Sequence, residues 1–271
     1  MPELPEVETV RRVLEPHLLH KTVRAVHIYC GQVIAAPAAE EFAACLVGQK
    51  VEAFSRRGKF LRLCFAGGAF LTIHLRMTGC LTLEGAEAPL AGHTHIALSL
   101  DDGMQLRYVD VRRLGKLWFT PAGGKDVSGA DKLGIEPFGG LTAAYLRAFG
   151  GGRRPVKALL LDQRAVAGIG NIYSDEILFS CGIRPDRPCR SLTDAEWEKL
   201  AAVIPERLEY FIEKNSISFA DYAAGGGKDY RNTPFLQVYG RGGQPCPDCG
   251  APLARIVLGG RSSVFCPHCQ K

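Results

Sequence analysis

The chain has 271 residues, a length at which two domains are the natural expectation. Apolar residues make up 46% of it and charged residues 23%, as in ordinary soluble globular proteins. The formal net charge of +5 permits a polyanionic partner without establishing one. No apolar run is long enough to span a bilayer, and no basic-then-apolar export signal opens the chain, so we expect no membrane association and a cytoplasmic location.

The opening stretch MPELPEVETV predicts a helix that begins at Pro5. Proline suits the first helical position and acidic residues suit the first turn, because the helix dipole is positive there. Apolar residues then recur at helical spacing until Pro16 ends the run. This interpretation leaves Pro2 and Glu3 unexplained, since both precede the helix.

Residues 50–83 alternate apolar and polar side chains on either side of Gly67–Gly68, and the pattern repeats around Asp102–Gly103. Period-two alternation interrupted by such residue pairs is typical of β-hairpins. We therefore expect a β-rich sandwich with a helix at its start over residues 1–130. A linker is predicted at 121–137, where apolar residues are few.

Residues 155–182 predict two helices joined by the turn AVAGIGN, with Asn171 as the N-cap of the second helix and Gly182 at its end. Such a pair is a DNA-binding type of shape, because the N–H groups at the start of the second helix can hold a phosphate. The G-x-G is too short for a dinucleotide fingerprint and no strand precedes it, which excludes a Rossmann interpretation.

A further helix is predicted from the capping box Thr193–Glu196 to Ile212, with a kink or a break at Pro205. Residues 223–232 combine glycines and charges without an apolar period. We interpret this segment as a mobile loop.

The C-terminal stretch has the pattern C-x2-C, sixteen residues, C-x2-C. Four thiolates at this spacing suit a closed tetrahedral zinc site, and the residues between the pairs predict two strands joined at Gly259–Gly260. The alternative is two redox-active pairs. His268 is interpreted as a bystander, the six other cysteines as reduced thiols, and Arg261 at the hairpin tip either as a contact to a partner or as a solvated side chain. We expect one structural zinc ion, bound by Cys246, Cys249, Cys266 and Cys269.

Six motifs, in this order and at these separations, resemble those of bacterial formamidopyrimidine-DNA glycosylases: MPELPEVETV, RRGKF, VRRLG, GIGNIY, QVYGR and the four-cysteine hairpin. The resemblance runs the full length of the chain. It implies an α+β fold of two domains, an N-terminal β-sandwich with flanking helices and a C-terminal helix-two-turn-helix domain with a zinc β-hairpin. The expected boundaries are 1–130 for the catalytic sandwich, 131–235 for the helical region with its mobile lesion loop, and 236–271 for the hairpin.

The family removes 8-oxoguanine and ring-opened purines from duplex DNA and then cleaves the strand by β,δ-elimination. The resemblance makes Pro2 the nucleophile once Met1 is removed, since a terminal secondary amine can form an iminium with deoxyribose. An α-amino pKa of about 7.7–8.0 leaves part of it unprotonated near neutrality. Glu3 is then expected to act as general acid or base, Lys59 to assist β-elimination, and Arg261 to hold a phosphate and assist δ-elimination.

Several positions match the family's DNA contacts. Phosphate contacts are expected at Asn171 and Tyr239 and, as looser matches, at His74, His93 and Arg153. The gap left by the flipped base is expected to be filled by Met77 and Arg112, whereas Leu114 stands where the family has phenylalanine. The loop at about 216–232 would cover the flipped base. Plain structural roles are the alternatives for some of these residues: a surface strand position for Lys59 and His74, and a half-buried core position for Tyr239.

The expected partner is damaged double-stranded DNA, bound by a monomer. Two other functions are open. A sibling family that removes oxidised pyrimidines usually begins Met-Pro-Glu-Gly-Pro-Glu, so Leu4 favours the purine enzyme. A DNA-binding protein without catalysis would use the same helix pair and hairpin, but the intact Pro2, Glu3 and Lys59 argue against it.

Overall fold

The computed structural model describes residues 2–228 and 230–271, which form two compact units. The first unit contains Pro2, residues 6–131 and residues 216–230. The second contains residues 3–5, 132–215 and 231–271. Among the described residues, no helix is both long and apolar enough to cross a membrane.

Two β-sheets build the first unit. In chain order, the strands are β1 Val23–Ile28, β2 Ile34–Ala36, β3 Val51–Arg57, β4 Phe60–Phe65, β5 Phe70–His74, β6 Gly79–Gly85, β7 Thr94–Leu100, β8 Met104–Asp110 and β9 Lys116–Thr120. One sheet has the strand order β1-β7-β8-β6 and the other β2-β9-β5-β4-β3. These strands pair in antiparallel fashion except for β2 with β9, which are parallel.

The predicted hairpins are confirmed. β4 and β5 pair across Gly67–Gly68, and β7 and β8 pair across Asp102–Gly103. The alternating apolar residues of these strands, with the buried face of the first helix, form one core of the sandwich. Its members include Val10, Leu14, Leu61, Leu63, Leu71, Ile73, Leu98 and Leu106.

Helix α1, Leu4–Leu18, and helix α2, Ala39–Leu46, accompany the sheets. Pro16 lies inside α1 instead of ending it, so the predicted end of the helix is wrong by two residues. The fully buried Leu18 explains the extension, because its packing holds the last turn against the core.

Residues 216–230 were assigned by sequence to the helical region, but in the structure they group with the sandwich. They contain helix α7, Phe219–Ala224, whose N-cap Ser218 accepts a hydrogen bond from the backbone N–H of Asp221. The hydroxyl of the buried Tyr222 donates to the carbonyl of Leu81 on β6 at 2.7 Å, which attaches the segment to the sheet. Asp229, within the stretch interpreted as a mobile loop, lies outside the described residues.

The second unit is helical, with α3 Ala143–Phe149, α4 Val156–Leu161, α5 Asn171–Cys181 and α6 Asp194–Lys214. The predicted capping box of α6 is present in full. The helix runs through Pro205 without a break, so a split at this proline is excluded. Buried side chains on both sides of it, among them Ala201, Ile204 and Leu208, keep α6 on the core.

Strands β10, Ala254–Leu258, and β11, Arg261–Phe265, form the C-terminal hairpin in the same unit. Its turn is at Gly259–Gly260, as predicted. A small core of its own joins the hairpin to α5 through Phe179, Val238, Leu253 and Val264.

Candidate active site

Glu3 is fixed to the start of helix α5 by two hydrogen bonds. One carboxylate oxygen of the buried Glu3 accepts the N–H of Ile172 at 3.0 Å, and the other accepts the N–H of Tyr173 at 3.4 Å. The first N–H groups of a helix need acceptors from outside the helix, and the N-cap residue of α5 is Gly170, which has no side chain to cap them. Glu3 therefore caps α5, and the prediction that Asn171 is the N-cap is wrong. Pro2, itself buried, is the residue immediately before Glu3 in the chain.

Gly168 allows Leu4 to approach the turn between α4 and α5 closely. The backbone N–H of Leu4 donates to the carbonyl of Gly168 at 3.2 Å. A Cβ at this position would lie 2.7 Å from the Cβ of Leu4, and the φ of +91° is one that side chains rarely adopt. The first glycine of the GIGN motif is thus required by the contact with the residue that follows Glu3.

Lys59 and His74 are neighbours in the first unit. Lys59 lies in the turn between β3 and β4, and His74 is paired with Phe60 at the end of β5. Burial, with Arg76 and Lys59 nearby, lowers the pKa of His74 to about 3. The ring is therefore neutral, and its Nδ1 accepts the backbone N–H of Arg76 at 3.0 Å. Its Nε2–H remains a donor.

The β5–β6 loop, residues 75–78, and the β8–β9 loop, residues 111–115, present exposed apolar side chains. Met77 is 48% exposed and Leu114 is 40% exposed. Val111, which the sequence analysis did not single out, is 54% exposed. The guanidinium of Arg112 lies 3.5 Å from the sulfur of Met77, so the structure brings these two predicted residues together.

These loops also contain backbone strain. Arg76, His93 and Arg113 have φ values of +53°, +67° and +54°. Non-glycine residues in this region cost of order 1–3 kcal/mol each and persist only where the surrounding structure holds them. His93 is exposed and lies in the β6–β7 loop, residues 86–93. This third loop therefore also contains a strained backbone residue.

Asn171 is bonded to the residue that follows Arg261 in the second unit. The side-chain amide of Asn171 donates to the carbonyl of Ser262 at 3.1 Å, and Nζ of Lys157 donates to the same oxygen at 3.1 Å. Lys157 also pairs with Asp175 at 2.7 Å, and both side chains are only 1% exposed. The exposed Arg261 is the residue before Ser262, so these contacts hold the strand immediately beyond it.

Tyr239 is held by a second buried acid of α5. The carboxylate of Glu176 accepts the backbone N–H groups of Gln237, Val238 and Tyr239 at 2.8 to 2.9 Å. Tyr239 itself is half-buried, and Arg153 is exposed between α3 and α4. Sequence reasoning missed Glu176 together with Lys157 and Asp175, because nothing in the local pattern separates them from surface charges.

The four hairpin cysteines form one group, with all sulfur atoms within 4.8 Å of one another. The Cys246 and Cys269 sulfurs are 3.9 Å apart, and the Cys249 and Cys266 sulfurs 3.5 Å. A tetrahedral zinc site with Zn–S bonds of about 2.3 Å needs sulfurs about 3.8 Å apart, so the residues fit the ion. His268 is exposed and outside the group. The chain therefore has one structural zinc site, whose four ligands leave no open position for catalysis.

Three family models match the chain in order. They are described as the formamidopyrimidine-DNA glycosylase N-terminal domain, at residues 1–117, the H2TH domain of the same enzymes, at 133–221, and a zinc finger found in FPG and IleRS, at 243–271. The fold and zinc hairpin thus define a DNA glycosylase.

The chain belongs to the formamidopyrimidine-DNA glycosylase family, enzymes of base excision repair. The formamidopyrimidine-DNA glycosylase of Moorella thermoacetica is 48% identical, with 94% of each chain covered. That of Gloeobacter violaceus is 43% identical, covering 100% of this chain and 98% of the relative.

Solved structures of DNA complexes agree with this. The Lactococcus lactis Fpg protein bound to DNA containing an oxidised pyrimidine has a TM-score of 0.90 and 32% identity, with both chains fully covered. The same protein bound to DNA containing Fapy-dG has a TM-score of 0.88 and 31% identity, covering 99% of this chain and 100% of that one. This likeness over both units confirms the predicted fold, a β-sandwich followed by a helix-two-turn-helix domain and a zinc hairpin, and supports DNA as the partner.

Proposed function

We propose that this glycosylase is bifunctional: it removes oxidised purines such as 8-oxoguanine and formamidopyrimidines from duplex DNA and then cleaves the strand as an AP lyase. The observation that carries the proposal is the double hydrogen bond from α5 to Glu3. A carboxylate tied at both oxygens fixes the residue beside it, and a nucleophile needs such fixed placement. The amine to be fixed is that of Pro2, freed by removal of Met1, a residue outside the described part of the chain.

The chemistry begins with the unprotonated Pro2 nitrogen attacking C1′ of the damaged nucleotide. The bond from C1′ to the base breaks, and the base leaves with the electron pair and takes up a proton. The Glu3 carboxylate is proposed to take the N–H proton of the attached Pro2 nitrogen and to pass it to the ring oxygen. The sugar ring then opens, and C1′ and the nitrogen form an iminium. The iminium acidifies C2′, so loss of a proton there expels the 3′ phosphate, and a second elimination expels the 5′ phosphate. Hydrolysis of the iminium frees Pro2.

Phosphate contacts stabilise the charges that these steps develop. Lys59 is the proposed contact for β-elimination and Arg261 for δ-elimination. His74 would donate from its Nε2–H as a neutral ring, because its Nδ1 is already an acceptor. Further phosphate contacts, which give affinity and register but not base choice, are proposed at Asn171, Tyr239, His93 and Arg153.

Met77, Arg112 and Leu114 are proposed to fill the space vacated by the flipped base. Exposed apolar side chains on neighbouring loops suit this role, because apolar wedges separate base steps. Arg112 can donate hydrogen bonds to the unpaired base, which we propose is read as cytosine. The backbone of the 216–232 segment is the proposed reader of the flipped base, and the enzyme is proposed to act as a monomer.

A panel of duplexes tests the substrate class. Single-turnover excision is measured on 8-oxoguanine, a formamidopyrimidine and an oxidised pyrimidine, each with and without borohydride. Faster excision of both purine lesions, with a covalent adduct under borohydride, is expected from the wild type and is lost in Pro2→Gly, which still binds DNA. Preferred excision of the pyrimidine would favour the sibling activity, and excision without any adduct would exclude the amine mechanism.

A further inference from the structure

The carboxylate of Asp110, the last residue of β8, connects two of the loops described above. Oδ1 accepts the hydroxyl of Thr78 in the β5–β6 loop and the backbone N–H of Arg112 at 3.2 Å. Oδ2 accepts the hydroxyl of Tyr108 at 3.0 Å and the backbone N–H of Gly115 at 2.8 Å. Asp110 is fully buried. These four hydrogen bonds therefore replace the ones that its carboxylate would make to water.

The main chain of Asp110 connects the third loop. Its N–H donates to the carbonyl of His93 at 3.0 Å, and its carbonyl lies 2.7 Å from Nε2 of the buried His95. One residue thereby contacts the β5–β6, β6–β7 and β8–β9 loops. Each of these loops contains a non-glycine residue with a positive φ, and strain of that kind persists only where neighbouring contacts hold it.

Tyr108 is packed closely between two glycines of this arrangement. A Cβ on Gly115 would lie 1.8 Å from the Tyr108 hydroxyl, and a Cβ on Gly79 would lie 2.7 Å from it. Gly115 of the β8–β9 loop and Gly79 at the start of β6 therefore pack directly against this hydroxyl, which donates to Asp110. Neither position has room for a side chain beside Tyr108.

We propose that Asp110 is a positioning residue that fixes the three loops relative to one another, so that Met77, His93 and Arg112 engage a duplex as one preformed group. The inference rests on the proposed function, in which two of these side chains fill the vacated space. Asp110 does not contact DNA in this proposal. It acts through the loops.

An amide cannot replace this carboxylate. Each carboxylate oxygen accepts one backbone N–H, from Arg112 on one side and Gly115 on the other, and a backbone N–H cannot reverse its role. Whichever way asparagine is turned, its NH2 group faces one of these N–H groups. The hydrogen bonds also hold the pKa of Asp110 below its ordinary value, against burial, which would raise it.

Asp110→Asn tests the proposal, with Asp126→Asn as the matched control. Asp126 lies in the same unit and pairs with Arg62, away from the three loops. Two rates are measured for each variant: excision of 8-oxoguanine, which requires base flipping, and cleavage at a preformed abasic site, which has no base to extrude. We expect the ratio of excision to abasic-site cleavage to fall about tenfold or more in Asp110→Asn and to stay within about twofold of wild type in the control.

An unchanged ratio of excision to abasic-site cleavage, whether both rates stay the same or both fall equally, would overturn the positioning role. Thr78→Val provides a second variant should Asp110→Asn not fold, because it removes one donor and keeps the carboxylate. It should lower the same ratio by a smaller factor, and an unchanged ratio in Thr78→Val would also contradict the proposal. Failure of the proposed function is separate: the wild type would then neither excise the lesion nor cleave the abasic site.

Discussion

Each unit has a buried aspartate that supports a segment carrying an exposed arginine. The two carboxylates are stabilised by different kinds of partner. Asp110 supports the loop of Arg112 with four hydrogen bonds from hydroxyl and backbone N–H donors, and its pKa is lowered. Asp175 supports the strand of Arg261 through the cation of Lys157 and the N–H of Val264. Burial outweighs these contacts and raises the pKa of Asp175 to about 6.

The difference shows what each arrangement costs. Uncharged donors stabilise a carboxylate without burying a second charge, but each donor must be placed by the surrounding strands and loops. An ion pair requires only one partner, but both ions must leave water. Burial accordingly also lowers the pKa of Lys157. The sandwich thus holds its loops by geometry, whereas the helical unit holds its hairpin by a charge pair and by zinc.

The largest expected effect concerns zinc. Cys249→Ala leaves three thiolates, and because metal binding and hairpin folding are linked, at about 10–16 kcal/mol in zinc-finger peptides, the hairpin should unfold. We expect loss of the metal and of DNA binding while the sandwich stays folded, as followed by Trp118 fluorescence in a Trp197→Phe background. Cys45→Ala, outside the hairpin, is the control and should retain one zinc per chain. Full lesion affinity in zinc-free protein would contradict the dependence.

Breaking the charge pair should come next. Lys157→Met leaves Asp175 buried without its cation, which typically costs about 3–5 kcal/mol of unfolding free energy. This loss of unfolding free energy is measured by urea denaturation of the second unit. The signal is Trp197 fluorescence in a Trp118→Phe background. The double variant Lys157→Met with Asp175→Leu should recover much of the loss. If the double variant is less stable than the single one, the pair contributes more than the desolvation argument allows.

Arg112→Ala tests the role of the β8–β9 loop that Asp110 supports in the sandwich. Removing the guanidinium should flatten the preference for cytosine over adenine opposite the lesion by about 1–3 kcal/mol, the usual value of a good contact to a base edge. Single-turnover excision against all four opposite bases measures the preference. Arg113→Ala should retain it. An unchanged preference in Arg112→Ala would place the reader elsewhere, with Arg113 the first candidate.

Mild acid should weaken the sandwich through His74. In the folded protein the pKa of His74 is about 3, below its ordinary value of 6.5. Between these two pH values the unfolded chain binds more protons than the folded protein. The free energy of unfolding therefore falls as the pH drops below 6.5. At pH 5.5 the loss should be about 1 kcal/mol relative to pH 7.5. Urea unfolding followed by Trp118 should show this slope, and His74→Gln should remove it. Glu8 does not interfere, because the stability that its lowered pKa provides is lost only below its ordinary value of 4.5, outside this pH range. An equal slope in the variant would assign the effect to another group.

The smallest expected effect is that of Leu114→Phe. Leucine separates base steps but does not stack, and base–aromatic stacking is worth about 1–3 kcal/mol. We expect the variant to find lesions in undamaged DNA faster, with a gain that corresponds to about 1 kcal/mol, the lower end of that range. The opposite-base preference should be kept. Lesion excision in the presence of excess undamaged duplex measures the search. A slower search would show that the leucine is adapted to its loop.

Local signals predicted much of the fold. Alternation and paired turn residues identified the hairpins at Gly67–Gly68 and Asp102–Gly103, and the capping box identified the start of α6. Helix α7 was missed because its six residues depend on a distant contact, the hydrogen bond from Tyr222 to Leu81. No periodicity within the segment itself reports such a contact.

The candidate residues were found through motifs, but the residues that hold them were not. Asp110 follows an apolar strand, and its donors come from positions as far away as Thr78. The cap of α5 is likewise supplied by Glu3, which is 169 residues distant from Ile172, instead of by the adjacent Asn171. Both arrangements depend on tertiary contacts, so their only sequence signal is an acid in an apolar neighbourhood.

The identity of the nucleophile is tested most directly by mapping the borohydride-trapped adduct. Trypsin releases the N-terminal peptide of residues 2–11, because Arg11 is the first cleavage site. After trapping on duplex DNA containing 8-oxoguanine, nuclease digestion and mass analysis, this peptide should carry the reduced sugar on the nitrogen of Pro2 and should lack Met1. An unmodified 2–11 peptide together with a sugar on a lysine, Lys59 above all, would contradict the account.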